Sequence, residues 1–227
     1  MMATWTCLRR RGFGCLAALL ATVLPVVAGC ASEEKLQKAK GYYQEGLANI
    51  DTDRQQAFVS FQKALQVNPK HKESHYSLGH LYALQGKYPQ AEEEFRAALQ
   101  VDPDYAEAHN YLGQVLERQN HWDEAVREYR RALNNPLYGT PDLAWFNLGR
   151  ALVHEGDLKG AAQAFEDALL ITPASVPPAA INLELARVYG KLGYDTKAKE
   201  MLARVKTLDK GGPYAAEAGK LMERLKP

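Results

Sequence analysis

Small and large apolar residues recur at helical spacing along most of the chain. Between residues 37 and 212, an alanine is followed four residues later by a large apolar residue, and three residues after that by a second small residue. These spacings place all three positions on one face of an α-helix. The first alanines stand 34 to 37 residues apart, at Ala57, Ala91, Ala125, Ala161 and Ala198. The pattern therefore predicts about five copies of one helical unit.

A second helix precedes each of these alanines. Leu78-Gly79 recurs as Leu112-Gly113 and Leu148-Gly149, with Leu185-Ala186 as a fourth copy, and turn-forming glycines and prolines separate the two helices. We expect the small residue to let two antiparallel helices approach closely, with the aromatic residue of the second helix beside it. The predicted units span about 37–71, 72–105, 106–139, 142–175 and 179–212, and residues 213–227 form a capping helix.

The N-terminus has the pattern of an export signal. Three arginines, Arg9 to Arg11, precede a short apolar run that ends in Val27-Ala28-Gly29-Cys30, which resembles the lipobox of bacterial lipoproteins. This resemblance implies a signal peptide at residues 1–29, a lipid on Cys30, and a short tether at residues 30–36. Because Ala31 rather than aspartate follows the cysteine, resemblance to sorted lipoproteins implies the periplasmic side of the outer membrane.

Composition and motifs argue against catalysis and against nucleic acid. The chain has 28 basic and 27 acidic residues, so it lacks the positive charge that nucleic-acid binding needs. Cys7 and Cys15 leave with the signal peptide, and no phosphate loop or nucleophile motif is present. The rival interpretation is an enzyme accessory with a zinc site at His71, His75 and His80, but the repeat explains these histidines without a metal. We therefore predict no enzyme, no catalytic residue, no metal, no cofactor and no small-molecule substrate.

The stretch SHYSLGHLYALQGKYPQAEEEFRAALQVDP is identified as a tetratricopeptide repeat, and AHNYLGQVLERQNHWDEAVREYRRAL is similar. The resemblance implies an all-α, right-handed superhelical solenoid of about five helix pairs whose first helices line a concave groove. Aligning the units predicts a row of partner-binding residues there, in which each aromatic also fits packing between units. The row comprises Tyr76, His80, Asn110, Gln114, Phe146, Arg150 and Arg187.

The segment NPLYGTPDLAWFNLG interrupts the repeat period, and with Cys30 and the repeats it resembles the type IV pilus pilotins, the PilF/PilW/Tgl group. This resemblance implies a membrane-anchored adaptor that binds outer-membrane secretin subunits and promotes their insertion and multimerisation. The alternative is a general periplasmic scaffold for cell-wall enzymes or outer-membrane assembly. We interpret the interruption as a hinge, with Thr140 capping the next helix. Leu137 and Tyr138 either pack into the gap between repeats or face a partner, and we expect packing for Leu137.

Overall fold

The computed structural model describes residues 33–225, and every regular element in that range is an α-helix. The predicted signal peptide, Cys30 and the first residues of the predicted tether lie outside the described residues. The described chain forms two compact units, which divide between Pro69 and Lys70.

The first unit is one helix pair. Helix α1 covers residues 33–49 and helix α2 covers Arg54–Val67. The carboxylate of Asp53 accepts a hydrogen bond from the Gln56 backbone N–H at 3.0 Å, which caps the start of α2. A Cβ atom built on Gly46 would lie 2.4 Å from the Phe61 ring, so only glycine allows this approach of α1 to the ring.

The second unit stacks four helix pairs and one further helix. Within each pair the two helices pack on each other, and the second helix of each pair packs on the first helix of the next, through to α11. The bounds are α3 Lys72–Leu84, α4 Tyr88–Val101, α5 Ala106–Arg118, α6 Trp122–Leu133, α7 Pro141–Glu155, α8 Leu158–Leu170, α9 Pro178–Lys191, α10 Asp195–Leu208 and α11 Pro213–Arg224. The predicted all-α solenoid of helix pairs is confirmed.

A glycine in the first helix faces an aromatic ring of the second helix in three pairs of this unit. Cβ atoms built on Gly79, Gly113 and Gly149 would lie 2.9, 2.6 and 2.6 Å from the facing rings. Those rings belong to Phe95, Tyr129 and Phe165, and all three are completely buried. The close approach expected from the Leu-Gly pattern is therefore present, and the ring lies directly over the glycine.

The interruption between α6 and α7 is not a hinge, and that prediction is wrong. Residues 70–225 cluster as one compact unit, and α6 packs directly on α7. The amide of Asn135 donates to the Asp104 carbonyl at 2.8 Å, which ties the turn to the preceding inter-repeat loop. The extra residues therefore form a turn within one compact unit, and no division of the chain falls there.

Two finer predictions about the interruption are also wrong. Leu137 is 88 % exposed, whereas the adjacent Tyr138 is only 7 % exposed. The Asn135 side chain accepts the Leu137 N–H at 2.9 Å, and this tight turn directs Tyr138 inward and Leu137 outward. Thr140 occupies the N-cap position of α7, but its side chain makes no capping hydrogen bond.

Candidate partner-binding surface

The predicted partner-binding residues lie on α3, α5, α7 and α9, the first helices of successive pairs. Each of these helices contacts the next one in the series. The structure nevertheless brings the predicted residues together in two separate clefts and places two of them in the packing between helix pairs.

Tyr76 belongs to an aromatic cluster between neighbouring helix pairs. Its ring centroid lies 5.9 Å from that of Phe95, 5.3 Å from Tyr105 and 5.5 Å from Tyr111. Burial raises the pKa of the Tyr76 hydroxyl well above its usual range. The ring is half-buried, so packing explains its presence and any partner contact remains a prediction.

Asn110 is completely buried, at 0 % exposure. Its side-chain oxygen accepts a hydrogen bond from the Asn147 amide at 3.1 Å, which links α5 to α7. A buried amide with this contact fixes the stacking of two helices and offers no surface to a partner. The prediction of a partner contact is therefore wrong for Asn110.

His80 and Gln114 line a cleft of about 350 Å³ between α3 and α5. The edge of the His80 ring meets Tyr111, with 5.2 Å between their centroids. Tyr88 and Arg118 complete the polar and aromatic part of the lining. This cleft contains two of the predicted residues, and their role in binding stays a prediction.

Phe146, Arg150 and Arg187 line a larger groove of about 490 Å³ formed by α7, α9 and α11. Phe146 stands over the buried Phe165, with 5.8 Å between the ring centroids. The remaining lining residues were not among the predicted partner-binding residues. They include Leu143, Val176, Leu183, Tyr214 and Glu217.

The charges of the two groove arginines are balanced to different extents. Arg187 pairs with Glu184 at 2.6 Å and also with Glu217 of α11. Arg150 is half exposed and lies 3.9 Å from Glu117, its only ion-pair partner among the described residues. Burial raises the pKa of Glu117, against the opposing effects of Arg150 and the Tyr129 hydroxyl. Arg150 therefore has less of its charge neutralised by neighbouring carboxylates than Arg187 has, and it is the more available cation for a ligand in this groove.

Asp142 holds one wall of the groove in place. Its carboxylate accepts hydrogen bonds from the Ser175 N–H at 2.6 Å, the Ser175 hydroxyl at 2.6 Å and the Val176 N–H at 2.8 Å. Burial by itself would raise the pKa of Asp142, but these hydrogen bonds outweigh it and the pKa lies below its ordinary value. Ser175 and Val176 line the groove, so Asp142 positions its wall from behind.

The histidines that suggested a metal site make other contacts. His71 accepts the Ser74 backbone N–H at the start of α3, and His75 lies 2.7 Å from Glu94 across its helix pair. Within residues 33–225, no group of three or more His, Cys, Asp or Glu side chains is arranged to hold a metal ion. In the same range, no helix combines the length and apolar character required to cross a membrane.

Family models match most of this repeat region. A model described as TPR repeat matches residues 79–120, and three models described as tetratricopeptide repeat match residues 60–93, 116–180 and 179–211. The chain is a tetratricopeptide-repeat protein. Repeats of this class are generally protein-interaction scaffolds without enzymatic activity.

The chain is also similar to individual solved structures of tetratricopeptide-repeat proteins. PilW, described as a widely conserved type IV pilus biogenesis factor, is 27 % identical, with a TM-score of 0.66 over 75 % of this chain and 77 % of its own. PilF of Pseudomonas aeruginosa is 23 % identical, with a TM-score of 0.68 over 86 % of this chain and 94 % of its own. YrrB, described as a TPR protein with an unusual peptide-binding site, is 23 % identical, with a TM-score of 0.67 over 85 % of this chain and 97 % of its own. No curated protein matches the chain.

Proposed function

We propose that the chain is a lipid-anchored, non-catalytic adaptor at the periplasmic side of the outer membrane that serves type IV pilus biogenesis. In this role it binds secretin subunits and promotes their membrane insertion and multimerisation. The observation that carries the proposal is the likeness to PilW, at 27 % identity over 75 % of the chain. The lipobox-like sequence ending in Cys30 supplies the anchor.

The groove of α7, α9 and α11 is the surface that fits a partner segment best. Phe146, Leu183 and Tyr214 offer apolar contacts, and half-exposed Arg150 offers hydrogen bonds and charge. A few residues dominate the binding energy of protein interfaces, and tyrosine, tryptophan and arginine are enriched among them. A segment bound here rests on rigid helices, so little ordering of the adaptor opposes binding.

Anchoring would convert this binding into assembly. Each buried methylene of an acyl chain contributes about 0.8 kcal/mol, so a multiply acylated cysteine holds the adaptor firmly on the membrane. A subunit bound to an anchored carrier has a raised effective concentration at the membrane, and subunits then meet one another there more often. This mechanism requires neither nucleotide nor metal.

Deletion of the gene tests the proposal. We expect secretin multimers to be lost from the outer-membrane fraction, with monomers accumulating, and native protein supplied from a plasmid to restore them. Cys30→Ala should fail to restore multimers, and Phe146→Ala with Arg150→Ala should fail while the protein remains folded. The control is Lys199→Ala, an exposed residue of α10 that does not line the groove. Normal secretin multimers in the deletion strain would refute the proposal.

A further inference from the structure

The groove continues beyond Arg187 into a second, more apolar cleft of about 470 Å³. Val153 of α7, Leu202 of α10, and Leu221 and Leu225 at the end of α11 form its apolar surface. Glu184 and Arg187 line both clefts, so the two are neighbours along α9. This second cleft is large enough for one or two large apolar side chains.

Two cations at this cleft have no ion-pair partner in the part of the chain that the structure describes. Lys191 lies in the last turn of α9 and Arg224 in the last turn of α11, and both are exposed. Neither forms an ion pair with any of residues 33–225, whereas Arg187 is held by two carboxylates. Both charges remain available to a ligand, and each lies near the partial negative charge of a helix C-terminus.

We propose that this cleft binds an acidic segment of a partner protein that also carries one or two large apolar side chains. The apolar side chains enter the cleft beside Leu221 and Leu225, and the carboxylates face Lys191 and Arg224. Complementary charge of this kind selects partners and orients them. The inference rests on the proposed partner-binding role of the groove and specifies the chemistry of the segment that it takes.

Continuity with the groove favours a polypeptide as the occupant. The α9 floor from Ala180 to Lys191 lines both clefts, and at 1.5 Å per residue it is about 16 Å long. An extended segment of about five residues spans that length. The segment would thus run from the aromatic part of the groove, at Phe146, to its cationic end.

The test uses the full-length protein in nanodiscs of uncharged phosphatidylcholine and three fluorescent decapeptides with blocked ends. The first contains a Leu-Phe pair and three aspartates, the second replaces the aspartates by lysines, and the third replaces Leu-Phe by Ser-Ser. We expect the first to bind at least tenfold more tightly than either of the others, with affinity that falls as salt is added. Lys191→Glu with Arg224→Glu should remove this preference.

A matched control keeps the total charge change the same. Lys199→Glu with Lys220→Glu alters exposed lysines of α10 and α11 that do not line the cleft, and it should bind all three peptides like the native protein. Lys191→Gln with Arg224→Gln removes both positive charges without reversing them, and it should give an intermediate loss of the preference for the acidic peptide. Circular dichroism melts verify that all variants are folded. Equal binding of the acidic and basic peptides would overturn the inference.

Purified secretin separates this inference from the proposed function. If secretin binds the native protein and the Lys191→Glu, Arg224→Glu variant equally, the inference is overturned and the proposed function stands. If the acidic peptide binds as expected but secretin does not, the inference stands and the secretin proposal fails. A third outcome concerns lipid. If Lys191→Glu with Arg224→Glu weakens binding to phosphatidylglycerol vesicles but changes the binding of no peptide, the cleft binds lipid and the inference is overturned.

Discussion

The two halves of the second unit connect their helices by different chemistry. In the polar pairs, α3–α4 and α5–α6, a histidine of the first helix meets a glutamate of the second. His75 lies 2.7 Å from Glu94, and His109 lies 2.6 Å from Glu128. The pairs α7–α8 and α9–α10 form the apolar half, in which no histidine–glutamate pair stands at this register. They hold Trp145 and Ala164, and then Met201 and Asn182, whose amide donates to the Pro178 carbonyl of its own helix. The repeat thus occurs both with and without a histidine–glutamate pair at this position.

This difference shows which positions of the repeat accept different residues and which do not. The glycine under a buried ring occurs on both sides of the boundary, at Gly113 and at Gly149. The polar pair occurs on one side only. The groove of about 490 Å³ and its continuation lie in the apolar half, where Asp142 fixes the turn that forms a wall. Close helix approach defines the repeat, and the surrounding contacts are adapted to local needs.

Breaking the buried polar pair should give the largest effect. His109→Leu leaves Glu128 without its 2.6 Å contact in a site where both side chains are 7 % exposed. We expect a loss of about 3 kcal/mol in the free energy of unfolding, since removal of one partner leaves a buried charge poorly compensated. Arg131 still holds Glu128, which keeps the loss near the lower end of that range. Urea denaturation followed by circular dichroism measures the change.

The matched variants convert the polar pair into an apolar one. His109→Trp with Glu128→Ala copies the α7–α8 residues, and it should recover more than half of the loss. His75→Leu should cost less than His109→Leu, since the His75–Glu94 pair is more exposed. A double variant as unstable as His109→Leu alone would show that the position is not interchangeable.

The glycine under the ring should be intolerant in both halves. Gly149→Ala and Gly113→Ala each place a methyl group 2.6 Å from a buried ring, and we expect each to cost about 2 kcal/mol through overpacking. Gly219→Ala is the control, because no atom lies within 4 Å of its added Cβ in α11. That variant should gain about 0.5 kcal/mol from helix propensity. If thermal melting shows that Gly219→Ala lowers stability as much as the other two substitutions do, this packing argument is contradicted.

The Asp142 contacts should give the apolar half a dependence on acid. The pKa of Asp142 is lowered in the folded chain, so its contribution is fully present above the ordinary aspartate pKa of about 3.9 and is lost as pH falls through the lowered value. Asp142→Ala should cost about 2 kcal/mol at pH 7 by leaving Ser175 and Val176 without an acceptor. The difference from native protein should shrink below about pH 4. Exposed Asp104→Ala serves as the control, and a cost independent of pH would disprove the assignment.

Glu117 should show the opposite sign in the polar half. Burial raises its pKa, so the folded chain holds the proton more tightly than the unfolded chain does. The native protein therefore loses stability as pH rises from the ordinary glutamate pKa of about 4.3 through the raised value. Glu117→Gln should flatten this dependence, with an effect below about 1 kcal/mol because Arg150 compensates part of the charge. An unchanged pH profile of stability would contradict the burial effect.

The exposed tip of the interruption should matter least. Leu137→Ser alters a side chain that is 88 % exposed, and we expect the unfolding free energy to change by less than about 0.5 kcal/mol. Tyr138→Ser, one residue away and buried, should cost several times more. Equal effects in chemical denaturation would mean that the turn does not separate the two side chains as described.

The repeat period determined the architecture because each unit contains the residues that pair its own two helices. Spacings of three and four residues, the Leu-Gly pairs and the turn residues act within about 34 residues, so sequence alone predicted the helices and their pairing. The row of residues from Tyr76 to Arg187 also came from this register, since residues at one repeat position lie on equivalent helices. Local rules of this kind do not depend on how far neighbouring units turn against one another.

Tertiary structure alone decided which of those residues face a groove. Asn110 meets Asn147 across 37 positions of sequence and is buried, whereas Arg150 at a neighbouring register stays half exposed. Asp142 closes one wall by holding Ser175, 33 positions away, and α11 supplies Tyr214 and Glu217 to the opposite side. The outward Leu137 and inward Tyr138 were set by a side-chain hydrogen bond within a turn that has no counterpart in the period. These outcomes depend on contacts between distant segments or within an irregular turn, and a repeat pattern encodes neither.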